Sequence, residues 1–131
     1  MIGLDTNVLV RYLAQDDPGQ SARANQLMED ELSADEPGYV GLVVLAETTW
    51  VLRRLYRATT DEIQETVADL LGTSQIVLEN RTVVTRALTT SRDGNCAFAD
   101  ALIAASAAGA GCTKVVSFDR GAVRAGMTLL T

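Results

Sequence analysis

The sequence predicts an α/β fold in which a parallel sheet lies between layers of helices. Short apolar runs are separated by one or two segments of helical periodicity, and these runs are continuous rather than alternating. Strands joined through helices pair in parallel, and continuous apolar strands are typical of a sheet covered on both faces. A chain of 131 residues is long enough to bury one core, so we expect a single domain over residues 1–131.

The predicted elements follow one another along the whole chain. Strands are predicted at residues 2–4, 39–44, 75–79, 114–118 and 127–130, and helices beginning near residues 7, 18, 45, 60, 81 and 98. Asp17 followed by Pro18 is typical of a helix start, whereas Thr59 with Glu62 matches the capping-box pattern. Asn80 can cap the next helix, and glycines end several of these helices.

The composition excludes several classes of function. The chain has no histidine, which removes Ser–His and Cys–His triads, imidazole acid–base catalysis and the usual zinc ligands. Cys96 and Cys112 lack the spacing of a zinc site, so we expect both to be buried as small apolar residues. A net charge of −6 argues against a passive nucleic-acid binder, but not against an enzyme that gathers acids around a cation. Neither a membrane span nor a signal peptide is predicted, so we expect a cytoplasmic protein.

Four acids stand where a parallel α/β sheet binds its ligands. They are Asp5 and Asp119 at the ends of strands, Glu47 just past a strand in the first turn of its helix, and Asp100 at the start of an Ala-rich helix. Because these positions face the same rim of such a sheet, the four acids can meet in one pocket. Structural interpretations stay open, such as a helix cap for Asp5 and an ordinary turn for Asp119.

A divalent cation would explain why acids should gather at one rim. Carboxylates held close together repel one another, and a bound cation removes that repulsion. An all-oxygen set of ligands without His or Cys favours Mg²⁺ or Mn²⁺ over zinc. The sequence therefore predicts that Asp5 stands at the end of its strand to hold a metal ion.

Four segments of the sequence resemble those of PIN-domain ribonucleases, and more narrowly those of VapC-type toxins from toxin–antitoxin pairs. They are IGLDTNVLVRYL at residues 2–13, VLAETTWVL at 44–52, FADALIAASA at 98–107 and SFDRG at 117–121. The resemblance implies a PIN-like three-layer α/β/α sandwich with a central, mostly parallel sheet. It also implies RNA cleavage dependent on Mg²⁺ or Mn²⁺, inhibition by a cognate VapB-type antitoxin, and formation of homodimers.

The resemblance also assigns roles to individual residues. It places the catalytic acids on Asp5, Glu47, Asp100 and Asp119, with Thr6 and Asn7 in supporting positions. Of these acids, Asp5 and Asp100 would bind the metal most directly and Asp119 would assist. Glu47 would complete the pocket or orient the attacking water. Many relatives carry a further acid three residues before the helix aspartate, but this chain has Ala97 there, which counts against a second tightly held metal.

Three further expectations concern ligands, partners and rival functions. Arg11 and Arg120 are candidate phosphate contacts, although surface ion pairs would explain both equally well. The helix segment around Leu55 and Tyr56 is expected to join an antitoxin or dimer interface, because large apolar side chains often anchor such contacts. The alternatives are a PIN-like domain that does not cleave and a receiver-type Mg²⁺-binding module. A receiver would need a lysine after its last strand, whereas the only lysine, Lys114, precedes one.

Overall fold

The computed structural model describes every residue from Met1 to Thr131 and has the predicted mixed α/β character. The helices are α1 (Thr6–Ala14), α2 (Pro18–Gln26), α3 (Leu42–Leu55), α4 (Thr60–Leu71), α5 (Arg81–Gly94) and α6 (Phe98–Gly109). The strands are β1 (Ile2–Gly3), β2 (Gly38–Val40), β3 (Ile76–Leu78), β4 (Val116–Ser117) and β5 (Thr128–Leu129). A π-helical turn at Leu27–Glu31 extends α2, and a 3₁₀ helix spans Arg120–Ala125. No helix is both long enough and apolar enough to cross a membrane.

The contacts divide the chain into two compact units. The first unit comprises Met1–Ala58 and Asp69–Glu79, and the second comprises Thr59–Ala68 and Asn80–Thr131. All strand pairs are parallel, with three strands paired in the first unit and two in the second. Parallel pairing is therefore confirmed, whereas a single domain over residues 1–131 stays a prediction.

In the first unit, β2 is the central strand of the order β1-β2-β3. The connections from β1 to β2 and from β2 to β3 each run through two helices, as parallel neighbours require. The apolar side chains of Leu9, Met28, Val40 and Leu45 are each no more than 1% exposed and form the centre of this unit's core. This arrangement places the end of β1, and therefore Asp5, at the start of α1.

The strand predicted at residues 39–44 is too long, because β2 ends at Val40 and α3 begins at Leu42. The backbone N–H of Leu42 donates a 2.8 Å hydrogen bond to the carboxylate of Glu79, which satisfies one of the amides at the helix start. The helix therefore includes Val43 and Val44, despite the preference of β-branched residues for strands. As a result, Glu47 lies in the second turn of α3, not in the first turn as predicted.

In the second unit, α5 and α6 pack closely against each other and against the 3₁₀ helix. The last residue of α5, Gly94, is so close to the 3₁₀ helix that an added Cβ would lie 2.6 Å from the carbonyl oxygen of Arg124. Inside the unit, the side-chain amide of Gln64 donates to the hydroxyl of Ser91, which in turn donates to the carbonyl of Cys96. These buried polar groups are therefore satisfied, and they hold α4 to the end of α5.

Two predictions of burial in the second unit are wrong. The strand predicted at residues 114–118 is reduced to Val116–Ser117, and Val116 and Phe118 are 47% and 79% exposed. This strand pairs with β5 alone in a two-stranded sheet, so the neighbours that would cover its side chains are few. Cys112 lies beyond the end of α6 and is exposed, whereas Cys96 is buried as predicted.

The helix starts inferred from capping residues are confirmed. The side chain of Asp17 accepts from the N–H of Gln20, and that of Asn80 accepts from the N–H of Val83. In the capping box, the N–H of Thr59 donates to Glu62, which lowers the pKa of that carboxyl group. A lowered pKa means that the stabilisation is present above the unfolded-state pKa and is lost as the pH falls through the folded-state value.

We expect Thr59→Ala to lower the free energy of unfolding by about 1 kcal/mol, the usual cost of removing a threonine N-cap. The Thr59 hydroxyl accepts a 3.1 Å hydrogen bond from the N–H of Glu62, and alanine has no acceptor for it. Chemical denaturation measures the difference. Thr85→Ala is the control, because Thr85 is an exposed threonine inside α5, and equal losses for both variants would contradict a capping role.

Candidate active site

Two of the four predicted acids, Asp5 and Glu47, line one cavity in the first unit. This cavity has a volume of about 260 Å³, and its wall also includes Thr6, Asn7 and Arg11. Asp5 reaches it from the end of β1, and Glu47 from the second turn of α3, which packs against α1. Both carboxylates are exposed to solvent, so a ligand can reach them.

Asp5 is the N-cap of α1, which confirms the structural interpretation of this residue. Its Oδ1 accepts a 2.9 Å hydrogen bond from the backbone N–H of Thr6. A carboxylate has two oxygens with about four acceptor positions, and the cap uses one of them. Capping therefore fixes the orientation of the carboxylate at the cavity while leaving acceptor capacity for a ligand.

The hydroxyl of Thr6 is buried in the wall of this cavity without a hydrogen-bond partner. Thr6 is 8% exposed, and its Oγ1 has no partner in the structure. A buried polar atom left unsatisfied costs about 1–3 kcal/mol, so such an atom calls for a water molecule, an ion or a functional role. Thr48, the neighbour of Glu47 in α3, has a second hydroxyl of this kind. Both orphaned hydroxyls thus belong to residues that directly follow a predicted catalytic acid.

Arg11 lies at the edge of the cavity in a network with Asp16 and Tyr56. Its guanidinium donates to the carboxylate of Asp16 at 3.2 Å and to the hydroxyl of Tyr56 at 3.1 Å. The hydroxyl of Tyr56 donates to Asp16, which raises the pKa of Tyr56 and lowers the pKa of Asp16. Arg11 therefore has the surface ion pair that was the alternative to phosphate binding, yet it also faces the cavity of Asp5 and Glu47.

The other two predicted acids belong to the second unit. Asp100 is half-buried in the first turn of α6, as predicted, and Ala97 at the N-cap provides no side-chain hydrogen bond. Asp119 follows β4 and caps the 3₁₀ helix, where its Oδ1 accepts a 2.9 Å hydrogen bond from the N–H of Gly121. The turn interpretation of Asp119 is thus confirmed. Arg120 is exposed at the first position of the 3₁₀ helix.

The oxygen atoms of these acids are suitable ligands for a hard divalent cation. Each unit supplies two predicted acids, Thr6 adds an orphaned hydroxyl, and the chain has no histidine, so oxygen is the ligand atom that these residues offer. Mg²⁺ and Mn²⁺ prefer such ligands. No group of three or more His, Cys, Asp or Glu residues in the structure is arranged to hold a metal ion. The meeting of all four acids at one metal therefore stays a prediction.

No sequence pattern predicts the network around Arg11. Asp16 lies five residues after Arg11, a spacing that places two residues on different faces of a helix, and Tyr56 lies 45 residues away. The sequence predicts Tyr56 only as part of an apolar interface, but in the structure its hydroxyl donates to Asp16. Only the three-dimensional structure shows that Arg11 and Tyr56 line the same cavity and that Asp16 bonds to both of them.

Comparison with protein-family models identifies the family of this chain. A family model described as the PIN domain matches residues 2–126, which is nearly the whole chain. Comparison with the curated proteins finds no match. The matched range includes all four acids and both cavity-lining segments, and the family accounts for the parallel α/β fold that the sequence predicted.

Proposed function

The chain belongs to the PIN domain family, a nuclease fold whose members are often metal-dependent, and from this premise we propose that it is a Mg²⁺-dependent endoribonuclease. More narrowly, we propose a VapC-type toxin of a toxin–antitoxin pair, with Mn²⁺ also supporting activity. The observation that carries the proposal is the solvent-accessible cavity shared by Asp5 and Glu47, with the orphaned hydroxyl of Thr6 in its wall. The narrower assignment is supported by the four sequence segments that resemble VapC-type toxins, and it implies action in the cytoplasm.

The proposed roles follow from the positions of the residues. Asp5 and Asp100 would hold the metal most directly, and Asp119 would assist. When bound, Mg²⁺ supplies charge neutralisation at the phosphoryl oxygens and raises the reactivity of water. Glu47 is exposed at the cavity and would accept a hydrogen bond from the attacking water, which orients it toward phosphorus. Because Ala97 supplies no carboxylate, we propose one tightly held metal rather than two.

The remaining cavity residues would bind and orient the RNA. Thr6 would support the site through its backbone N–H, which holds the Asp5 carboxylate, and the side-chain amide of Asn7 offers a ligand both a donor and an acceptor. Arg11 would contact a phosphate from the cavity edge, and Arg120 is a second, exposed candidate. This chemistry needs neither a histidine nor a 2′-hydroxyl nucleophile, so the choice of RNA over DNA rests on the resemblance to the toxins.

A cleavage assay tests this proposal. Labelled RNA and DNA of the same sequence are incubated with the protein in Mg²⁺, in Mn²⁺ and in EDTA, and the products are separated by size. We expect cleavage of RNA in either metal and none in EDTA. Binding of RNA without cleavage in any metal would favour a PIN-like domain that does not cleave, and Mg²⁺ binding with neither RNA binding nor cleavage would favour a receiver-type module.

The proposed partners are a cognate VapB-type antitoxin and a second copy of the chain. The α3 helix supports an interface, because three of its large apolar side chains are exposed: Val43 by 81%, Trp50 by 55% and Leu55 by 68%. Exposed apolar surface concentrated on one helix is typical of a protein interaction site. The guanidinium of Arg54 lies 5.7 Å from the centre of the Trp50 ring, which holds that aromatic side chain in place.

We expect Leu55→Ala to weaken capture of the antitoxin about tenfold, which corresponds to about 1.4 kcal/mol and exceeds the 1 kcal/mol that marks an energetically important interface residue. Hydrogen exchange of residues 44–58 should also slow when the antitoxin is added. Leu130→Ala is the matched control, because Leu130 is 45% exposed near the end of the chain and lies outside α3. Unchanged exchange over residues 44–58 would contradict an interface on this helix.

A further inference from the structure

A second cavity of about 390 Å³ lies beside the first one, between α1, α2 and the π-helical turn. Four polar side chains line it: Asn7, Arg11, Gln20 and Arg23. Asn7 and Arg11 also line the cavity of Asp5 and Glu47, so the two cavities adjoin through these two residues. A ligand that extends beyond the acidic cavity on this side would therefore pass over Arg11 toward Arg23.

The charge of the second cavity is opposite to that of the first. Its lining contains two arginines and no acid, although the chain as a whole carries 11 basic and 17 acidic residues. A chain with a net charge of −6 repels RNA in general, so binding needs a local group of cations. Arginine is suited to that purpose, because its planar guanidinium can donate two parallel hydrogen bonds to a phosphate.

Both guanidiniums are held in place but keep unused donors. Arg23 donates to both carboxylate oxygens of Glu31, and Arg11 donates to Asp16, Gln20 and Tyr56. A guanidinium has five N–H groups, so the bonds to Glu31 leave three donors of Arg23 for another acceptor. The Arg23 side chain is 60% exposed, and ion pairs this exposed are weak enough to rearrange around a phosphate.

We infer that this second cavity, here called the α1–α2 groove (Asn7, Arg11, Gln20 and Arg23), binds the phosphodiester backbone of single-stranded RNA next to the bond that is cut. Arg11 binds the phosphate nearest to the acidic cavity, and Arg23 binds the next phosphate along the strand. The apolar side chain of Leu27 lies in the same lining and offers a surface for a base. The inference rests on the proposed ribonuclease function and names where its substrate extends.

Variants of the Arg23–Glu31 ion pair test the groove. Arg23→Gln and Glu31→Gln break the same ion pair, so any structural effect of losing that pair occurs in both variants. Only Arg23→Gln also removes the positive charge proposed to bind a phosphate. The probe is a fluorescein-labelled poly(U) RNA, bound in Ca²⁺ so that cleavage is slow and followed by fluorescence anisotropy over a range of salt concentrations. Arg92→Gln, an exposed arginine at the end of α5, controls for the change in net charge.

We expect Arg23→Gln to weaken binding about threefold or more at low salt and to reduce the slope of log affinity against log salt by about 0.7, which corresponds to one phosphate contact. Glu31→Gln should bind as tightly as the wild type or more tightly, and Arg92→Gln should retain the wild-type slope. Wild-type affinity and slope in Arg23→Gln would overturn the inference, as would a loss confined to capture of the antitoxin. If the wild-type protein cleaves RNA and Arg23→Gln binds RNA normally, RNA binding in the α1–α2 groove is refuted and the proposed function is not. If the wild-type protein does not cleave RNA in Mg²⁺, the proposed function is refuted.

Discussion

Asp5→Asn and Asp100→Asn are expected to reduce the rate of RNA cleavage by about a hundredfold or more while the protein stays folded. Each substitution keeps the size of the side chain but removes one of the negative charges proposed to hold Mg²⁺. Metal stabilisation of phosphoryl transfer is worth several kcal/mol, and each 1.36 kcal/mol changes a rate about tenfold. The measurement is the initial cleavage rate in Mg²⁺ at a saturating RNA concentration.

The structure explains why Asp5→Asn should leave the fold intact. Asp5 caps α1 through one hydrogen bond from the N–H of Thr6, and asparagine is as good an N-cap as aspartate. Removing the charge of Asp5 also relieves its repulsion with other acids when no metal is bound. In EDTA, Asp5→Asn should therefore melt at the wild-type temperature or slightly above it.

The charge of Asp100 also interacts favourably with the N-terminus of its own helix, so its removal has one further effect on stability. Asp100 lies in the first turn of α6, where a negative charge near the helix N-terminus contributes about 0.3–1 kcal/mol. Loss of that contribution and relief of repulsion have opposite signs, and asparagine keeps the size and hydrogen-bonding capacity of the side chain, so the net change in unfolding free energy in EDTA should stay within about 1 kcal/mol. A loss of several kcal/mol would instead indicate that Asp100 has a structural role in the second unit.

Asp35→Asn is the control for both variants. Asp35 is exposed in the loop between the π-helical turn and β2, and the same substitution there changes the net charge equally. We expect wild-type melting and wild-type cleavage from it. An Asp5 or Asp100 variant that also cuts RNA at the wild-type rate would refute the assignment of that acid.

The features that could be predicted from the sequence are those decided by nearby residues. Asp17 with Pro18 marks the start of α2, and Thr59 with Glu62 marks the start of α4, because a cap and the amide that it satisfies lie within three residues. The position of Asp5 at the end of β1 is local in the same sense. Together with the apolar runs that predict the parallel α/β fold, such signals single out Asp5, and Glu47 is also identified from the sequence, although one helical turn out of place.

The features that the sequence did not predict depend on distant partners. At the start of α3, the N–H of Leu42 finds its acceptor in the carboxylate of Glu79, which lies 37 residues later. The apolar pattern of residues 39–44 alone predicts a strand. Because that strand is too long, the predicted position of Glu47 in α3 is one helical turn too close to the start of the helix. The exposure of Val116 and Phe118 is likewise a property of the short two-stranded sheet and cannot be read from their own side chains.

Mg²⁺ is expected to stabilise the protein by about 2.7 kcal/mol at a concentration of about one hundred times its dissociation constant. A bound cation would remove the repulsion between the carboxylates of Asp5 and Glu47, which line the same cavity. For a chain of this size the change corresponds to a rise of about 10 °C in melting temperature. Ca²⁺ should stabilise the protein similarly but support cleavage poorly, because its looser coordination positions the phosphate less well.

Thermal melting across a Mg²⁺ titration at fixed ionic strength measures this stabilisation without reference to activity. General screening by salt would shift all variants alike, so the informative comparison is between Asp5→Asn and the exposed control Asp35→Asn. We expect the control to gain the full shift and Asp5→Asn to gain little of it, because its remaining amide oxygen carries no charge to hold the cation. A wild-type melting temperature that does not change across the titration would contradict a metal site built on Asp5. An equal shift in Asp5→Asn would show that the cation binds elsewhere on this acidic chain.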